Sequence, residues 1–257
     1  MTSLPFETWP YEEQTKIKHQ VFADYFDKWV KILGKFHKLK YIDGFAGRGA
    51  YRQNGNVYYG SPVLAAEIIK NDQKEAVLVL IDKTKKNLKN LDKIFKYKGL
   101  SDVKTVKVHE DFDRTINDLL DNKSNLEPTF FFIDPFGFSI NYSTLKRIMK
   151  IDKSEILLNF QFNGLTRFLS LPQLEGTTTK LFGTDEWKEL VHVKGPDRET
   201  RIVGLFKSQL EKIAAHVFYY PIEFPKRDRT YYYLFHLTNH WKGCSIMKSC
   251  FAHYNQG

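Results

Sequence analysis

Four aspartates stand at the ends of predicted strands, where their carboxylates could serve one ligand site. Asp43, Asp82, Asp111 and Asp134 each follow a run of apolar or strand-forming residues. The carboxyl ends of parallel strands meet at one edge of a sheet, and α/β proteins bind ligands outside that edge. A purely structural network is the alternative, because aspartates at such a rim need partners. The repetition at four strand ends favours a ligand site.

A glycine-rich turn follows the first of these aspartates in the segment YIDGFAGRGAY. Gly44, Gly47 and Gly49, together with Phe45, would let the backbone approach a ligand closely. The glycines fill two positions of a dinucleotide fingerprint, but Arg52 stands at the third, which disfavours a nicotinamide site. The turn therefore predicts an adenosine-type cofactor without choosing between a nicotinamide and S-adenosylmethionine (SAM).

The segment AYRQNGNVYYG separates this turn from the next helix. Its position predicts either a loop over the site or a surface excursion. The next strand, AVLVLID, ends at Asp82, whose carboxylate would accept hydrogen bonds from ribose hydroxyls in either type of cofactor complex.

The elements that would position these residues alternate between strands and helices. Apolar residues at three- and four-residue spacing predict a helix over about 12–33 that ends at Gly34, and Ser61 followed by Pro62 predicts a capped helix start. Seven strands are expected, of which HVFYYPIEF and TYYYLFHLTN form an antiparallel hairpin. The pattern predicts an α/β fold with a doubly wound, mostly parallel, seven-stranded sheet.

The domain organisation follows from the same pattern. Residues 1–257 are expected to form one domain, with the N-terminal helix over about 12–33 and a helical insertion over about 165–213. No repeat, low-complexity tract or linker indicates a second domain.

The basic charge indicates a polyanionic partner. The 39 Lys and Arg exceed the 30 Asp and Glu by nine, which favours nucleic acid, although a lysine-rich composition bias would give the same excess. Phosphate contacts are expected from arginines, since arginine binds phosphate bidentately: Arg167, Arg227 and Arg229. The lysine-rich helix over 83–98 is interpreted instead as a solvated face.

Several classes of protein are excluded by the sequence. It has no apolar run of about 18 residues and no secretory signal, which predicts a cytoplasmic protein without membrane contact. Two cysteines make no disulfide framework. His236 and His240 have the spacing of a helical zinc pair, but they lie in a predicted strand, so no metal site is expected.

DGFAGRG together with DPF at the end of a strand resembles the class I SAM-dependent methyltransferases. The resemblance implies that the glycine turn lines the methionine part of SAM, that Asp82 holds the ribose, and that Asp111 and Phe112 meet the adenine. The residues thereby expected around the cofactor are Asp43, Gly44, Phe45, Gly47, Gly49, Asp82, Asp111 and Phe112.

The series KHQVFADYFDKW, YIDGFAGRGAY, GSPVLAAE, FFFIDPFGF, LLNFQFNGLTRF and YYYLFHLTNHWKGCSIMK resembles the three-Cys-motif partner protein family along nearly the whole chain. That family implies a methyltransferase-type fold, often encoded beside a cysteine-motif protein of radical-SAM character in mobile or defence-related bacterial settings. It does not imply a substrate.

The segment DPFG is similar to the motif of tRNA guanine-N2 dimethyltransferases, although Phe136 replaces the second proline of the D-P-P-[YF] pattern. Asp134 and the Pro135 carbonyl would orient an amino nitrogen for attack on the methyl group, and Phe136 or Phe138 would stack on a base. A tight turn with two core aromatics is the alternative. The sequence thus predicts a SAM-dependent N-methyltransferase acting on an exocyclic amino group of a nucleic-acid base. The other hypotheses are a non-catalytic, methyltransferase-like partner of a radical-SAM-type protein and, less favoured, a nicotinamide oxidoreductase.

Overall fold

The computed structural model describes residues 4–122, 126, 128–195, 197–224 and 229–254. Within these ranges the strands follow one another along the chain as β1 (Trp9–Pro10), β2 (Leu39–Asp43), β3 (Ala50–Gln53), β4 (Asn56–Tyr59), β5 (Ala76–Ile81), β6 (Thr105–Val108), β7 (Thr129–Ile133), β8 (Ser154–Phe160), β9 (His216–Glu223) and β10 (Thr230–Thr238).

The helices alternate with these strands. They are α1 (Glu13–Leu33), α2 (Ser61–Asn71), α3 (Lys85–Tyr97), α4 (Phe112–Asp121), α5 (Tyr142–Ile148), α6 (Phe162–Phe168), α7 (Glu175–Phe182), α8 (Asp197–Leu210) and α9 (Trp241–Tyr254). Two 3-10 helices, Pro172–Leu174 and Glu186–His192, lie between α6 and α8, within the segment predicted as a helical insertion.

The main sheet has seven strands in the spatial order β6-β5-β2-β7-β8-β10-β9. Pairing is parallel from β6 to β8, whereas β10 is antiparallel to both β8 and β9. The fold class predicted from the sequence is confirmed, including the C-terminal hairpin. The chain steps outward from β2 to β5 and β6, then returns to β7 on the other side of β2.

A second, three-stranded sheet in the order β1-β3-β4 was not predicted. The segment AYRQNGNVYYG forms the antiparallel hairpin of β3 and β4, and β1 pairs in parallel with β3. Asn54 and Gly55 both have positive φ, 50° and 82°, as two-residue hairpin turns require. The Asn-Gly pair was a usable signal for this hairpin.

Helices cover both faces of the main sheet. Residues of α1, α2, α3 and α9 form one buried cluster with the sheet, and residues of α4 to α8 form the other. The central strands therefore consist almost entirely of apolar residues, as strands covered on both sides must. The predicted N-terminal helix is confirmed as α1, although Gly34 ends it with a right-handed φ of −68° rather than in the left-handed conformation.

Among the described residues, no helix combines the length and the apolar character that crossing a bilayer requires.

Candidate functional site

The carboxyl ends of β2 and β7 form the switch point of the main sheet. These strands are neighbours, but the connections that follow them lead to opposite sides, which opens a crevice where α/β proteins bind ligands. Asp43 ends β2 opposite Phe132 of β7, and Asp134 directly follows Ile133, the last residue of β7. The structure therefore brings Asp43 and Asp134 to the same edge, as the sequence predicted.

The Asp43 carboxylate is fully buried and held by three donors. The hydroxyls of Tyr41 and Ser61 both donate to Oδ2 at 2.7 Å, and the Phe45 N–H donates to Oδ1 at 3.2 Å. Burial raises the pKa of Asp43 to about 7, against the lowering effect of these hydrogen bonds. Ser61 is the first residue of α2 and Gly60 its N-cap, so the predicted capping role of Ser61 is wrong.

The glycines of the turn lie where side chains would collide with their surroundings. A Cβ on Gly44 would stand 2.6 Å from the Phe112 ring, and one on Gly49 2.2 Å from Leu91 Cδ2. Gly47 and Gly49 also have positive φ, 59° and 76°, which glycine adopts most easily. The turn thus allows close packing of aromatic and aliphatic groups, in addition to any approach of a ligand.

The N-terminal segment lies over this turn. The Trp9 ring would be 2.9 Å from a Cβ on Gly47, and the Arg48 guanidinium lies 5.2 Å from the centre of the same ring. Asn90 fastens the segment, because it accepts from the Glu7 N–H at 2.8 Å and donates to the carbonyls of Glu7 and Arg48. Sequence reasoning did not assign Trp9 to the site.

Asp82 binds the glycine turn from the end of β5. Its Oδ2 accepts the Gly47 N–H at 2.8 Å and its Oδ1 accepts the Thr84 N–H at 2.6 Å, while Asn87 Nδ2 lies 3.2 Å from both oxygens. The two short bonds fix the carboxylate at the rim. The two long ones are the weaker contacts.

Asp111 and Phe112 occupy different environments. Asp111 caps α4 by accepting the Arg114 N–H at 3.1 Å and pairs with Lys83 at 2.7 Å. Burial alone would raise the pKa of Asp111, but these two partners outweigh it and lower the pKa. The Phe112 ring packs against Gly44 and Phe45 and is buried, so stacking on an adenine would require the side chains around it to move.

Asp134 is held by two residues that sequence reasoning missed. Lys18 of α1 forms an ion pair with Asp134 Oδ2, and Asn159 Nδ2 of β8 donates to Oδ1 at 2.5 Å. The Lys18 side chain is only 8% exposed and that of Asp134 19%. Asn159 Oδ1 is buried and has no hydrogen-bond partner among the described residues. An acceptor left open beside a fixed carboxylate fits a ligand that brings N–H donors.

The DPFG segment turns the chain outward after Asp134. Pro135 is buried, Gly137 has a φ of 92°, and the Phe136 ring is 77% exposed with the Trp9 ring edge-on at 5.6 Å. Phe138 is half-buried, and its ring centre lies 6.4 Å from that of Phe168. Phe136 is therefore not a core aromatic, contrary to the tight-turn alternative, and Phe138 is core-facing only in part.

Of the three arginines predicted to contact phosphate, two lie within the described residues. Arg167 is exposed on α6, and Arg229 donates to Asn163 Oδ1 at 2.6 Å and lies near the Phe224 ring. Arg227 lies outside the described residues. Arg229 is thus placed next to α6 through Asn163.

The helical periodicity of the sequence could have identified Lys18 as a residue of the buried helix face. It lies four residues before Phe22 and seven before Tyr25, on the helix face that packs against the sheet. A lysine on such a face needs a buried partner. Its neighbour His19 is also buried, and burial together with the Lys18 charge lowers the pKa of the imidazole to about 3.

Comparison with known proteins identifies the fold. No protein-family model matches the sequence, and no curated protein matches it. The resemblance to the three-Cys-motif partner family therefore stays a prediction.

Solved structures resemble the chain along most of its length. A Legionella pneumophila protein of the family DUF519 aligns over 94% of this chain and 91% of its own, with 13% identity and a TM-score of 0.59. A SAM-dependent methyltransferase from Agrobacterium tumefaciens aligns over 90% of this chain, with 11% identity and a TM-score of 0.52. A spermidine synthase in complex with the transition-state analogue AdoDATO aligns over 92%, with 10% identity and a TM-score of 0.51. The chain spans 63% of each of the last two. It therefore has the fold of the SAM-dependent methyltransferases.

Proposed function

We propose that the chain is a SAM-dependent N-methyltransferase that acts on an exocyclic amino group of a nucleic-acid base. The observation that carries this proposal is the position of Asp134 at the switch point, oriented by Lys18 and Asn159. A buried ion pair has a desolvation cost, and charged groups held in this way at a ligand-binding edge are candidates for functional residues.

The acceptors at the rim suit SAM as the cofactor. Asp82 places a carboxylate at the end of β5, where ribose hydroxyls need an acceptor, and the buried Asp43 at the end of neighbouring β2 would hold the start of the glycine turn through the Phe45 N–H. Ribose hydroxyls would replace the long contacts from Asn87 to Asp82 while the two short backbone bonds persist. SAM would supply an electrophilic methyl group on its sulfonium.

Orientation of the acceptor nitrogen is the main task of the protein. The lone pair of a base amino group is delocalised into the ring, so the group must be held with its N–H bonds on acceptors and its nitrogen facing the methyl group. Asp134, the Pro135 carbonyl and Asn159 Oδ1 would serve as these acceptors. Transfer ends with the loss of one amino proton, which the Asp134 carboxylate would accept.

Recognition of a planar base would rest on exposed aromatic surface. Phe136 offers an exposed ring beside Asp134, with Trp9 against its edge. Stacking of a base on such a ring contributes about 1–3 kcal/mol in single-strand binding proteins. A base within a duplex would first have to leave the helix.

The excess of positive charge suits a nucleic-acid substrate. Four exposed lysines of α3 lie on one stripe of the helix and have no carboxylate at ion-pair distance among the described residues: Lys85, Lys89, Lys93 and Lys96. By contrast, Lys86 pairs with Glu7 at 2.7 Å. These four lysines support a phosphate contact on α3, whereas from the sequence alone the helix was interpreted as a solvated face.

Replacement of the second motif proline by Phe136 favours one other function. The chain would then be a methyltransferase-like partner without activity of its own, working with a radical-SAM-type protein.

Methyl transfer from tritiated SAM to tRNA, rRNA and DNA tests the proposal. The wild-type chain, Asp134→Asn and, as a matched control, the exposed Asp118→Asn would be compared, with SAM affinity measured by calorimetry for each. We expect transfer to one nucleic acid, a loss of at least a hundredfold in Asp134→Asn, and little change in the control.

Two results would contradict the proposal, each at a different point. Absence of SAM binding would favour the non-catalytic partner. SAM binding without transfer to any of the nucleic acids would reject a nucleic-acid substrate while keeping the cofactor.

A further inference from the structure

A second cavity lies at the edge of the main sheet opposite the candidate site. It has a volume of about 380 Å³ and opens between α1, α9 and the amino end of β8. One wall is apolar, with Trp29, Ile32 and Leu33 of α1 and Ile246 of α9. Glu155 of β8 lies opposite Phe130 of β7 in the sheet, and Phe130 is four residues before Asp134. The two sites are therefore about 13 Å apart along the strands.

The floor of the cavity carries a buried carboxylate that the proposed reaction does not use. Glu155 is 7% exposed, and its Oε2 accepts hydrogen bonds from the Tyr25 hydroxyl and from His236 Nε2, the latter at 2.9 Å. Burial, followed by the Glu155 charge, raises the pKa of Tyr25 well above its ordinary value, so the hydroxyl keeps its proton. His236 Nδ1 is buried and has no hydrogen-bond partner among the described residues.

No Lys or Arg side chain balances the charge of Glu155 within the described part of the chain, where its ion-pair partner is His236. No Lys or Arg nitrogen there forms an ion pair with it, and its second oxygen, Oε1, accepts no hydrogen bond there. A buried carboxylate in this state is unfavourable unless a cation approaches it. At the mouth, Asp152 is already paired with Lys153 at 2.5 Å, and the exposed Lys242, which also lines the cavity, forms no ion pair with Glu155.

Three oxygens stand together on the α9 side of this floor. A Cβ on Gly243 would lie 2.9 Å from Glu155 Oε1 and 3.0 Å from both Thr238 Oγ1 and the Tyr25 hydroxyl. Gly243 lines the cavity and has no side chain, so its backbone packs directly against these oxygens; Tyr25 and Thr238 are each only 1% exposed. Glu155 Oε1 is therefore the oxygen of this group that an ammonium would contact, since an ammonium has several N–H donors and no acceptor.

The aromatic wall suits the remainder of the same ligand. The rings of Tyr25 and Trp29 line the cavity, and aromatic faces attract cations in addition to covering apolar groups. The indole N–H of Trp29 is buried and has no partner in the described residues. An anionic ligand would be repelled by Glu155, and a neutral one would leave its charge unbalanced.

We propose that this cavity binds a small organic amine in its protonated form, with the ammonium on Glu155 and an aromatic or aliphatic body against Trp29. The site is separate from the methyl-transfer site and does not depend on the function proposed there.

Calorimetric titration of the full chain with benzylamine tests the charge requirement. Benzyl alcohol and benzoate have similar bodies with neutral and negative heads. We expect saturable one-site binding of benzylamine and at least tenfold weaker binding of the other two. Glu155→Gln is expected to weaken benzylamine binding at least tenfold, whereas Asp152→Asn, at the mouth, changes it less than threefold.

A spectroscopic measurement keeps the test valid if Glu155→Gln does not fold. In the wild-type chain, the ¹⁵N–¹H resonance of the Trp29 indole, assigned with Trp29→Phe, is expected to move on addition of benzylamine while that of Trp187 stays. A Trp29 resonance unaffected by 10 mM benzylamine, or equal binding of benzyl alcohol and benzylamine, would overturn the proposal.

Discussion

The carboxylates at equivalent strand ends differ in their properties because their neighbouring residues differ. Asp43 is enclosed by neutral donors, and its burial raises the pKa. Asp111 is a helix cap beside Lys83, and its pKa is lowered. Asp134 is bound by Lys18 and Asn159. The same residue type at the same edge therefore serves as a buried acid, a cap and an ion-pair partner.

The raised pKa of Asp43 predicts a specific dependence of stability on pH. The folded chain holds this proton more tightly than the unfolded chain, whose carboxyl has the ordinary value of 3.8. The contribution of Asp43 to the free energy of unfolding is therefore fully present below pH 4 and is lost as the pH rises through about 7.

Asp43→Asn removes this titration. We expect the free energy of unfolding of the wild type, measured with urea, to fall relative to that of Asp43→Asn between pH 4 and 7.5. The expected fall is up to about 4 kcal/mol, at 1.36 kcal/mol for each unit of pKa. Asp118→Asn, at an exposed position, should follow the wild-type curve. Parallel curves for wild type and Asp43→Asn would contradict the burial effect.

Removal of the Lys18 charge is expected to disable Asp134 without disturbing the cofactor site. In Lys18→Met, the methyl-transfer rate should fall at least a hundredfold, because the carboxylate loses the partner that orients it, while SAM affinity changes less than threefold. Lys28→Met on the same helix, where Lys28 pairs with Asp24 at the surface, is the control. Equal activity of the two variants would show that Lys18 has no positioning role.

Helix α1 connects the two ends of the sheet. Lys18 reaches Asp134 at one end, and Tyr25, two turns later on the same face, reaches Glu155 at the other. Strand β8 matches this arrangement, since Glu155 and Asn159 are four residues apart and point to one face. One helix and one strand thus supply polar groups both to the candidate methyl-transfer site and to the cavity at Glu155.

The packing of α3 against the glycine turn is testable with a matched pair of substitutions. Gly49 and Gly55 have similar φ values, 76° and 82°, but a Cβ would meet Leu91 only at Gly49 and nothing within 4 Å at Gly55. Gly55→Ala should cost about 1–2 kcal/mol through backbone strain. Gly49→Ala should cost about 1–3 kcal/mol more through overpacking.

Urea unfolding of both variants measures the difference. Equal destabilisation would mean that Leu91 moves aside freely and that the turn does not depend on close packing with α3.

The charge of the whole molecule predicts where a nucleic acid would bind. Four Gln substitutions on the α3 stripe should weaken binding of a fluorescent RNA. They should also reduce the magnitude of the slope of log K against log salt by up to about 3–4, at about 0.7–0.9 for each phosphate that is no longer neutralised. The substitutions are Lys85→Gln, Lys89→Gln, Lys93→Gln and Lys96→Gln.

An equal change of charge elsewhere is the control for this experiment. Four exposed lysines without carboxylate partners among the described residues serve for it: Lys150, Lys180, Lys194 and Lys212. If these four, changed to Gln, reduce affinity and slope as much as the α3 set, binding depends on net charge and not on α3.

Local patterns were enough to predict the sheet and its edge. The apolar runs of β5, β7 and β8 are long enough to need cover on both faces. The position of Asp43 and Asp134 at the sheet edge could be predicted because each stands at the end of a strand. The hairpin of β3 and β4 also had a local signal in Asn54 and Gly55, but it was missed because the segment was interpreted only as a connection.

Periodicity in the sequence determined the fold class, the long first helix and the strand ends, because those features depend on the order of apolar and polar residues within a few turns. Tertiary structure alone decided that Lys18 meets Asp134, that Trp9 covers the glycine turn and that Glu155 lies in a cavity with no Lys or Arg ion-pair partner among the described residues. Trp9 and Gly47 are 38 residues apart in the sequence, and Lys18 and Asp134 are 116 apart. No local pattern encodes such contacts, since they depend on how whole elements pack across the sheet.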